Sequence, residues 1–153
     1  MQEILNKDFI QYQTNYKTKE EVFENIASLA VQQGMATDKE PVVKGLFRRE
    51  EESTTGFFDG FAIPHTKVKE IKQAGIVIIV NESGIEWNSM DGNPAKFFIS
   101  ILIPEAEGGS THLQVLAAIS RMLMHEEVRQ ALLEANGAEE IYTILKSHLE
   151  GNN

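Results

Sequence analysis

The sequence predicts a single α/β layered domain over residues 1–153, a mixed β-sheet flanked by helices. Two apolar runs rich in β-branched and aromatic residues have the length of strands, and segments with helical spacing of apolar residues precede and follow them. The length fits one compact unit of the usual size, roughly 100–200 residues. Helices on either side of a few apolar strands are typical of a layered α/β fold.

The first predicted helix begins after Thr18. Thr18 and Glu21 have the spacing of a capping box, in which a threonine hydroxyl and an acidic side chain satisfy free amides at a helix start. Apolar residues at helical spacing follow, and Gly34 supplies the stop.

A second capping box predicts the next helix. It runs from Thr37 to Glu40, with Pro41 in the first turn. This helix would place Arg48 and Arg49 near its carboxyl end, where arginines complement the helix dipole.

The remaining segments alternate between strand and helix patterns. Between Glu50 and His65 the helical period is lost and glycine turns intervene, so we expect an exposed strand-and-loop region. Two adjoining core strands are predicted at Gly75–Asn81 and Ala95–Pro104. A third capping box, Thr111 to Gln114, predicts a helix that begins at His112, and two more helices are expected between Glu126 and Leu149.

Composition excludes several classes of function. The chain has 14 Lys and Arg against 23 Asp and Glu, a net charge of −9, which argues against nucleic acid as a partner. It has no cysteine, and therefore no disulfide, no thiolate metal site and no nucleophilic thiol. No apolar run is long enough to insert into a membrane, and the first residues do not form a secretory signal, so a cytoplasmic location is expected.

Two of the four histidines are candidates for chemistry. His65 follows Pro64 and two glycine turns, and we expect an exposed, fixed ring whose neutral imidazole can attack phosphorus without a base. Packing of a loop histidine on its neighbours is the alternative. His125 and His148 are expected at solvated helix positions without a role.

His112 is the second candidate. A cap at Thr111 would place it at a helix start, where free amides and the helix dipole favour an anion such as phosphate. The same field disfavours imidazolium, so a neutral His112 could donate a hydrogen bond to a phosphoryl oxygen. A simple solvent-facing position is the alternative.

Arg49 offers a permanent planar cation with paired donors that match phosphate oxygens. The hydroxyls of residues 53–55 (Ser53, Thr54, Thr55) would add further donors. The alternative is a surface charge at a helix end, paired with one of Glu50 to Glu52. Close metal-ligand spacings, a P-loop and a G-x-S-x-G motif are missing, so no metal and no cofactor are expected.

The segment RREEESTTGFFDGFAIPHTK, residues 48–67, resembles the signature of the IIA components of the bacterial sugar phosphotransferase system, fructose and mannitol family. An Arg-Glu pair, a Thr-Gly, a second glycine and Ala-Ile-Pro-His occur here in the family's order. The later segment GIEWNSMDGNPAKFFISILIPEAEGGSTHLQVLAAISRML is also similar to the family, so the resemblance extends from about residue 20 to residue 145.

The resemblance implies a phosphoryl carrier. His65 would accept a phosphoryl group from the phosphorylated histidine-containing carrier protein, as a transient phosphohistidine, and pass it to a cysteine of a IIB component. Arg49 and His112 fall on the family's active-site arginine and second histidine, and Thr55 would be a supporting donor.

The resemblance also bears on substrate and partners. Thr66 stands where mannitol-type and nitrogen-regulatory members often carry glycine, which favours the fructose-type branch. Because the chain has no cysteine, the IIB thiolate must come from a separate IIB component with its membrane IIC. Two alternatives remain: a regulatory module whose phosphorylation is sensed without transport, and a metal-dependent hydrolase that uses His65 and His112.

Overall fold

The structure is a computed structural model that describes residues 4–106 and 109–150, with only the backbone described for residues 109–112 and 150. Its elements are a short 3-10 helix (Lys7–Phe9), β1 (Ile10–Thr14), α1 (Lys19–Gln32), α2 (Lys39–Glu52), β2 (Phe61–Ala62), β3 (His65–Val68), β4 (Gly75–Ile85), β5 (Ala95–Pro104), α3 (Gly109–Leu123), α4 (Glu126–Glu134) and α5 (Ala138–Glu150). The predicted α/β architecture is confirmed.

The sheet is mixed. The strand order is β1-β4-β5-β2, and β3 pairs with the same edge of β5 as β2. The strands β4 and β5 are neighbours, as expected of the two apolar runs, and they are antiparallel. In contrast, β1 is parallel to β4, and β2 and β3 are parallel to β5. In this register His65 lies opposite Ile101, so the sheet carries this histidine at its edge.

Two layers of helices bury the two faces of the sheet. One apolar cluster joins α1 and α2 to the sheet around Phe23, Trp87 and Phe98. The other joins α3, α4 and α5 to the opposite face around Ile119 and Ile141. The continuous apolar runs of β4 and β5 follow from this burial on both sides.

The predicted cap at Thr18 forms, while the Glu21 carboxylate accepts from the amide of the preceding residue, Lys17, at 2.8 Å. The Thr18 hydroxyl accepts from the Glu21 amide at 3.1 Å, and α1 ends just before Gly34, whose φ of +80° favours glycine. The predicted cap at Thr37 is wrong, because Asp38 occupies the N-cap position of α2. Thr37 is instead held outside the helix by its amide, which donates to the Glu70 carbonyl at 2.9 Å.

The predicted start of α3 is also wrong. The helix begins at Gly109, two residues before Thr111, so Thr111 lies within the first turn and is not its cap. His112 is therefore not the first helical residue, although it remains in the first turn. The two C-terminal helices are confirmed as α4 and α5.

The region between Glu50 and His65 differs most from expectation. The predicted strand is present as β2, but the helix α2 continues to Glu52, and residues 60–66 are all buried instead of exposed. Burial follows from pairing with β5, because the Gly60 carbonyl accepts from the amides of Lys96 and Phe97 at 2.7 and 2.9 Å. The segment before His65 is therefore part of the sheet edge.

Candidate functional site

His65 is the first residue of β3 and only 7% of it is exposed, so the prediction of an exposed loop ring is wrong. The Pro64 carbonyl accepts from the Ile101 amide at 3.0 Å, which draws the chain into the sheet immediately before the histidine. The backbone of His65 is thereby fixed by β5.

Two hydrogen bonds define the protonation of the His65 ring. Nδ1 lies 2.8 Å from the Ile63 carbonyl oxygen, and Arg49 Nε lies 3.0 Å from Nε2. A carbonyl only accepts, so Nδ1 carries the proton, and the Arg49 Nε–H only donates, so Nε2 presents its lone pair. Both contacts select the same neutral tautomer, with the nucleophilic electron pair on Nε2.

Arg49 reaches His65 from the last turn of α2. Its Nη1 donates to the Ser53 carbonyl at 2.8 Å and lies 3.4 Å from the Ser53 hydroxyl. The ion pairs of the described residues do not include Arg49, so the alternative of a charge paired with Glu50 to Glu52 is not what the structure contains. The guanidinium is instead fixed between a helix end and the imidazole.

A close approach of α2 to β3 makes this contact possible. A Cβ atom at Gly45 would lie 2.3 Å from Thr66 Oγ1 and 3.0 Å from Val68 Cγ1, so no side chain fits there without displacement. Arg49 lies one helical turn beyond Gly45. The tight packing at Gly45 therefore brings the Arg49 guanidinium within reach of the first residue of β3.

Thr55 is tied to Glu50, which belongs to the Arg-Glu pair of the motif, and to Trp87, which no sequence pattern singled out. Its amide and its hydroxyl each donate to the Glu50 carboxylate at 2.7 Å, and Trp87 Nε1 donates to the Thr55 hydroxyl at 3.1 Å. A hydroxyl has one proton, and here Glu50 accepts it. In this arrangement the Thr55 hydroxyl proton points to Glu50, so the expected donation from Thr55 to phosphate stays a prediction.

The neighbouring hydroxyl fastens the same loop. Thr54 Oγ1 donates to the Trp87 carbonyl at 2.7 Å and accepts from the Gly56 amide at 3.0 Å. A Cβ at Gly56 would lie 2.7 Å from Ser89 Cα, so the backbones touch. The segment that follows α2 is held against residues 87–89.

Residues 55–63 form a hairpin that leads directly to His65. Gly56 and Ala62 are bridged in antiparallel fashion, and the Ile63 amide donates to the Thr55 carbonyl at 3.0 Å. The φ angles of Asp59 (+56°) and Gly60 (+86°) are those of a type I′ turn, which matches strand twist. We call this element the 55–63 hairpin. Its last residue supplies the carbonyl that accepts from His65 Nδ1.

The other three histidines differ in position and in exposure. The backbone of His112 is in the first turn of α3, but its side chain is outside the described residues, so its expected proximity to His65 stays a prediction. The His125 side chain is 65% exposed and 3.4 Å from Glu127. His148 is half-buried, against expectation, and lines a cavity of about 500 Å³ with Arg121 and His125.

Among the described residues of 4–106 and 109–150, histidine, aspartate and glutamate side chains do not gather in any group of three or more that could hold a metal ion. In the same part of the chain, every helix is too short or too polar to cross a membrane.

Comparisons with known proteins show the family of the chain. A family model described as "Phosphoenolpyruvate-dependent sugar phosphotransferase system, EIIA 2" matches residues 3–148. The "PTS system fructose-specific EIIA component" of Haloferax volcanii is 40% identical over 133 residues, which are 87% of this chain and 86% of that protein.

One further relative is a much longer protein, and one solved structure is of a regulatory protein of similar length. The "PTS system fructose-specific EIIABC component" of Bacillus subtilis is 32% identical over 146 residues, 95% of this chain but only 23% of that protein. The crystal structure of the nitrogen regulatory protein IIA-Ntr from Neisseria meningitidis superposes with a TM-score of 0.86 at 27% identity, covering 93% of this chain and 96% of that one.

Proposed function

We propose, from the premise that this chain belongs to the EIIA 2 family of the phosphoenolpyruvate-dependent sugar phosphotransferase system, that His65 is its phosphoryl acceptor and that Nε2 is the atom which carries the group. The observation that carries the proposal is the pair of contacts on the ring: the Ile63 carbonyl at Nδ1 and the Arg49 guanidinium at Nε2. Phosphoryl transfer within the phosphotransferase system is the activity of the family.

In the accepting step the Nε2 lone pair attacks the phosphorus of the phosphohistidine on the histidine-containing carrier protein. The new N–P bond forms as the donor's N–P bond breaks, and that electron pair returns to the donor imidazole. Arg49 shifts its Nε–H from Nε2 to the phosphoryl oxygens, where its remaining donors neutralise charge. No proton has to leave His65, because Nε2 already carries the lone pair.

The Ile63 carbonyl acts during the same step. Attack through Nε2 leaves the ring with a positive charge while Nδ1 keeps its proton. The carbonyl dipole at 2.8 Å stabilises this charge and prevents rotation of the ring. The backbone of the 55–63 hairpin therefore serves as the electrostatic partner of the phosphohistidine.

The onward step requires a IIB cysteine. Its thiolate attacks the phosphorus, an S–P bond forms, and the N–P electron pair returns to Nε2. The thiolate lies outside these 153 residues, which contain no cysteine. A separate IIB component with its membrane IIC, and a cytoplasmic site of encounter, are parts of this proposal.

Fructose-type transport is the substrate assignment we favour. The 40% identity to a fructose-specific EIIA component and Thr66 after the histidine support it. A regulatory module sensed through its phosphorylation is the second candidate, favoured by the likeness to the nitrogen regulatory protein.

A reconstituted transfer experiment tests the function. The purified protein is incubated with phosphoenolpyruvate, enzyme I and the carrier protein, and its intact mass is measured. We expect one phosphoryl group per chain. Addition of a fructose IIB component should then discharge it, whereas a regulatory module would retain it. A chain that never gains the group would contradict the proposal.

A further prediction concerns His112, which we propose as a donor to the same phosphoryl group. His112→Ala should leave folding intact, accept phosphoryl nearly as fast as the natural chain, and slow its transfer to IIB by roughly tenfold, because one hydrogen-bond donor to the group is lost. Chase kinetics of the phosphorylated protein provide the measurement. Onward transfer at the unaltered rate would remove His112 from the site.

A further inference from the structure

A single arginine on α4 connects the 55–63 hairpin to the helical layer. Arg129 Nε donates to Asp59 Oδ2 at 2.8 Å, and Arg129 Nη1 donates to the Leu123 carbonyl at the end of α3. The Arg129 side chain is only 12% exposed. One guanidinium thus bridges the tip of the hairpin and the carboxyl end of the helix whose first turn contains His112.

The tip of the hairpin has a defined backbone conformation. Asp59 has a positive φ, which is uncommon for residues other than glycine and is tolerated by Asp and Asn. Its amide donates to Asp91 Oδ2 at 2.9 Å. This hydrogen bond is the main cause of a lowered pKa at Asp91, with the Asn93 amide second, so Asp91 remains an anionic acceptor at neutral pH.

Both ends of the bridge lead to the proposed site. The hairpin ends at Ile63, whose carbonyl accepts from His65 Nδ1 and fixes the tautomer. Thr66 packs against Gly45 of α2, on one face of the sheet. Successive residues of a strand point to opposite faces, so His65 belongs to the other face, which α3 covers. A change in the separation of hairpin and helix would therefore alter the setting of the His65 ring.

We propose that Arg129 is a positioning residue, which holds the 55–63 hairpin against the end of α3 so that His65 presents Nε2 to the incoming phosphoryl group. The charge-assisted bond to Asp59 attaches Arg129 to the tip of the hairpin, and the bond to the Leu123 carbonyl attaches it to the end of α3, so the two elements are kept at a constant separation. The proposal rests on the proposed function of His65, but the ring geometry that it invokes can be measured without any phosphoryl transfer.

The test compares two variants with a matched control. Arg129→Met keeps the apolar stem and removes both hydrogen bonds, while Asp59→Asn keeps a residue that tolerates positive φ and removes the charge. The control is Glu24→Gln, which removes an ion pair of similar length, 2.7 Å to Lys39, away from the hairpin.

We expect single-turnover phosphoryl acquisition, at saturating carrier protein and well below the melting temperature, to slow about tenfold in Arg129→Met, less in Asp59→Asn and not in Glu24→Gln. The double variant Arg129→Met/Asp59→Asn should be no slower than Arg129→Met alone, because both changes remove the same bond. The second readout is the imidazole ¹⁵N spectrum: the distinct Nδ1–H and Nε2 signals of His65 should move towards each other in both variants as the tautomers mix.

Two results would overturn the proposal: unchanged rates in both hairpin variants, or slowed acquisition with an unaltered His65 ¹⁵N spectrum. If the natural chain acquires no phosphoryl group, the proposed function fails, and the spectra alone then decide the positioning role. An altered spectrum would support it and an unaltered one would contradict it.

Discussion

His65→Ala should abolish phosphoryl acquisition completely. The structure presents a neutral imidazole whose proton is on Nδ1 and whose lone pair is on Nε2, and alanine offers no atom that can form the N–P bond. The measurement is intact mass after incubation with phosphoenolpyruvate, enzyme I and the carrier protein. The natural chain should gain one phosphoryl group and the variant none.

The matched control is His125→Ala, because that ring is exposed and lies at the start of α4. It should gain the full phosphoryl mass. The group on the natural chain should be labile in acid and stable in base, as phosphoramidates are. A His65→Ala protein that is folded by circular dichroism and still gains a full phosphoryl group would exclude His65 as the acceptor.

Much of the architecture could be predicted from local sequence, because continuous apolar strands and amphipathic helices leave clear patterns. Capping boxes are less reliable predictors, and the one at Thr37 shows why. Thr37 precedes the true N-cap because its amide bonds to Glu70, a residue 33 positions away. Which residue caps a helix depends on where the preceding chain is anchored, and a T-x-x-E pattern does not contain that information.

Burial before His65 was missed for a related reason. Asp59-Gly60 correctly marks a tight turn, but turn residues are usual at surfaces, and only the pairing of the hairpin with β5 shows that this one is covered. The sequence therefore locates the turn and not its depth.

Only part of the candidate site could be predicted from the sequence. His65 and Arg49 could be selected because their chemistry suits phosphate and because the resemblance places both. The contacts that join Thr55 to Glu50 and Trp87 could not be predicted, since Trp87 is 32 positions from Thr55 and no local pattern links them. That Trp87 is the only tryptophan of the chain is the one signal that could have drawn attention to it.

Arg49→Lys should slow phosphoryl acquisition on the order of 10- to 100-fold although the positive charge is kept. The guanidinium bonds His65 Nε2 through Nε and the Ser53 carbonyl through Nη1 at the same time. A lysine ammonium is one point of charge at the end of a flexible stem, so it cannot keep both contacts and then turn paired donors to the phosphoryl oxygens.

The adjacent Arg48→Lys is the matched control for this effect, because Arg48 is on the same helix turn and is exposed. Rapid-quench single-turnover kinetics with saturating phosphorylated carrier protein should separate the two variants, with Arg48→Lys at the natural rate. The free energy of unfolding of both variants should lie within about 0.5 kcal/mol of that of the natural chain, as is usual for substitutions at the surface. If Arg49→Lys acquires the group as fast as Arg48→Lys, charge alone is sufficient at this position. The forked geometry of the guanidinium would then have no part in the transfer, and Arg49 would return to the role of a charge that stabilises the end of α2.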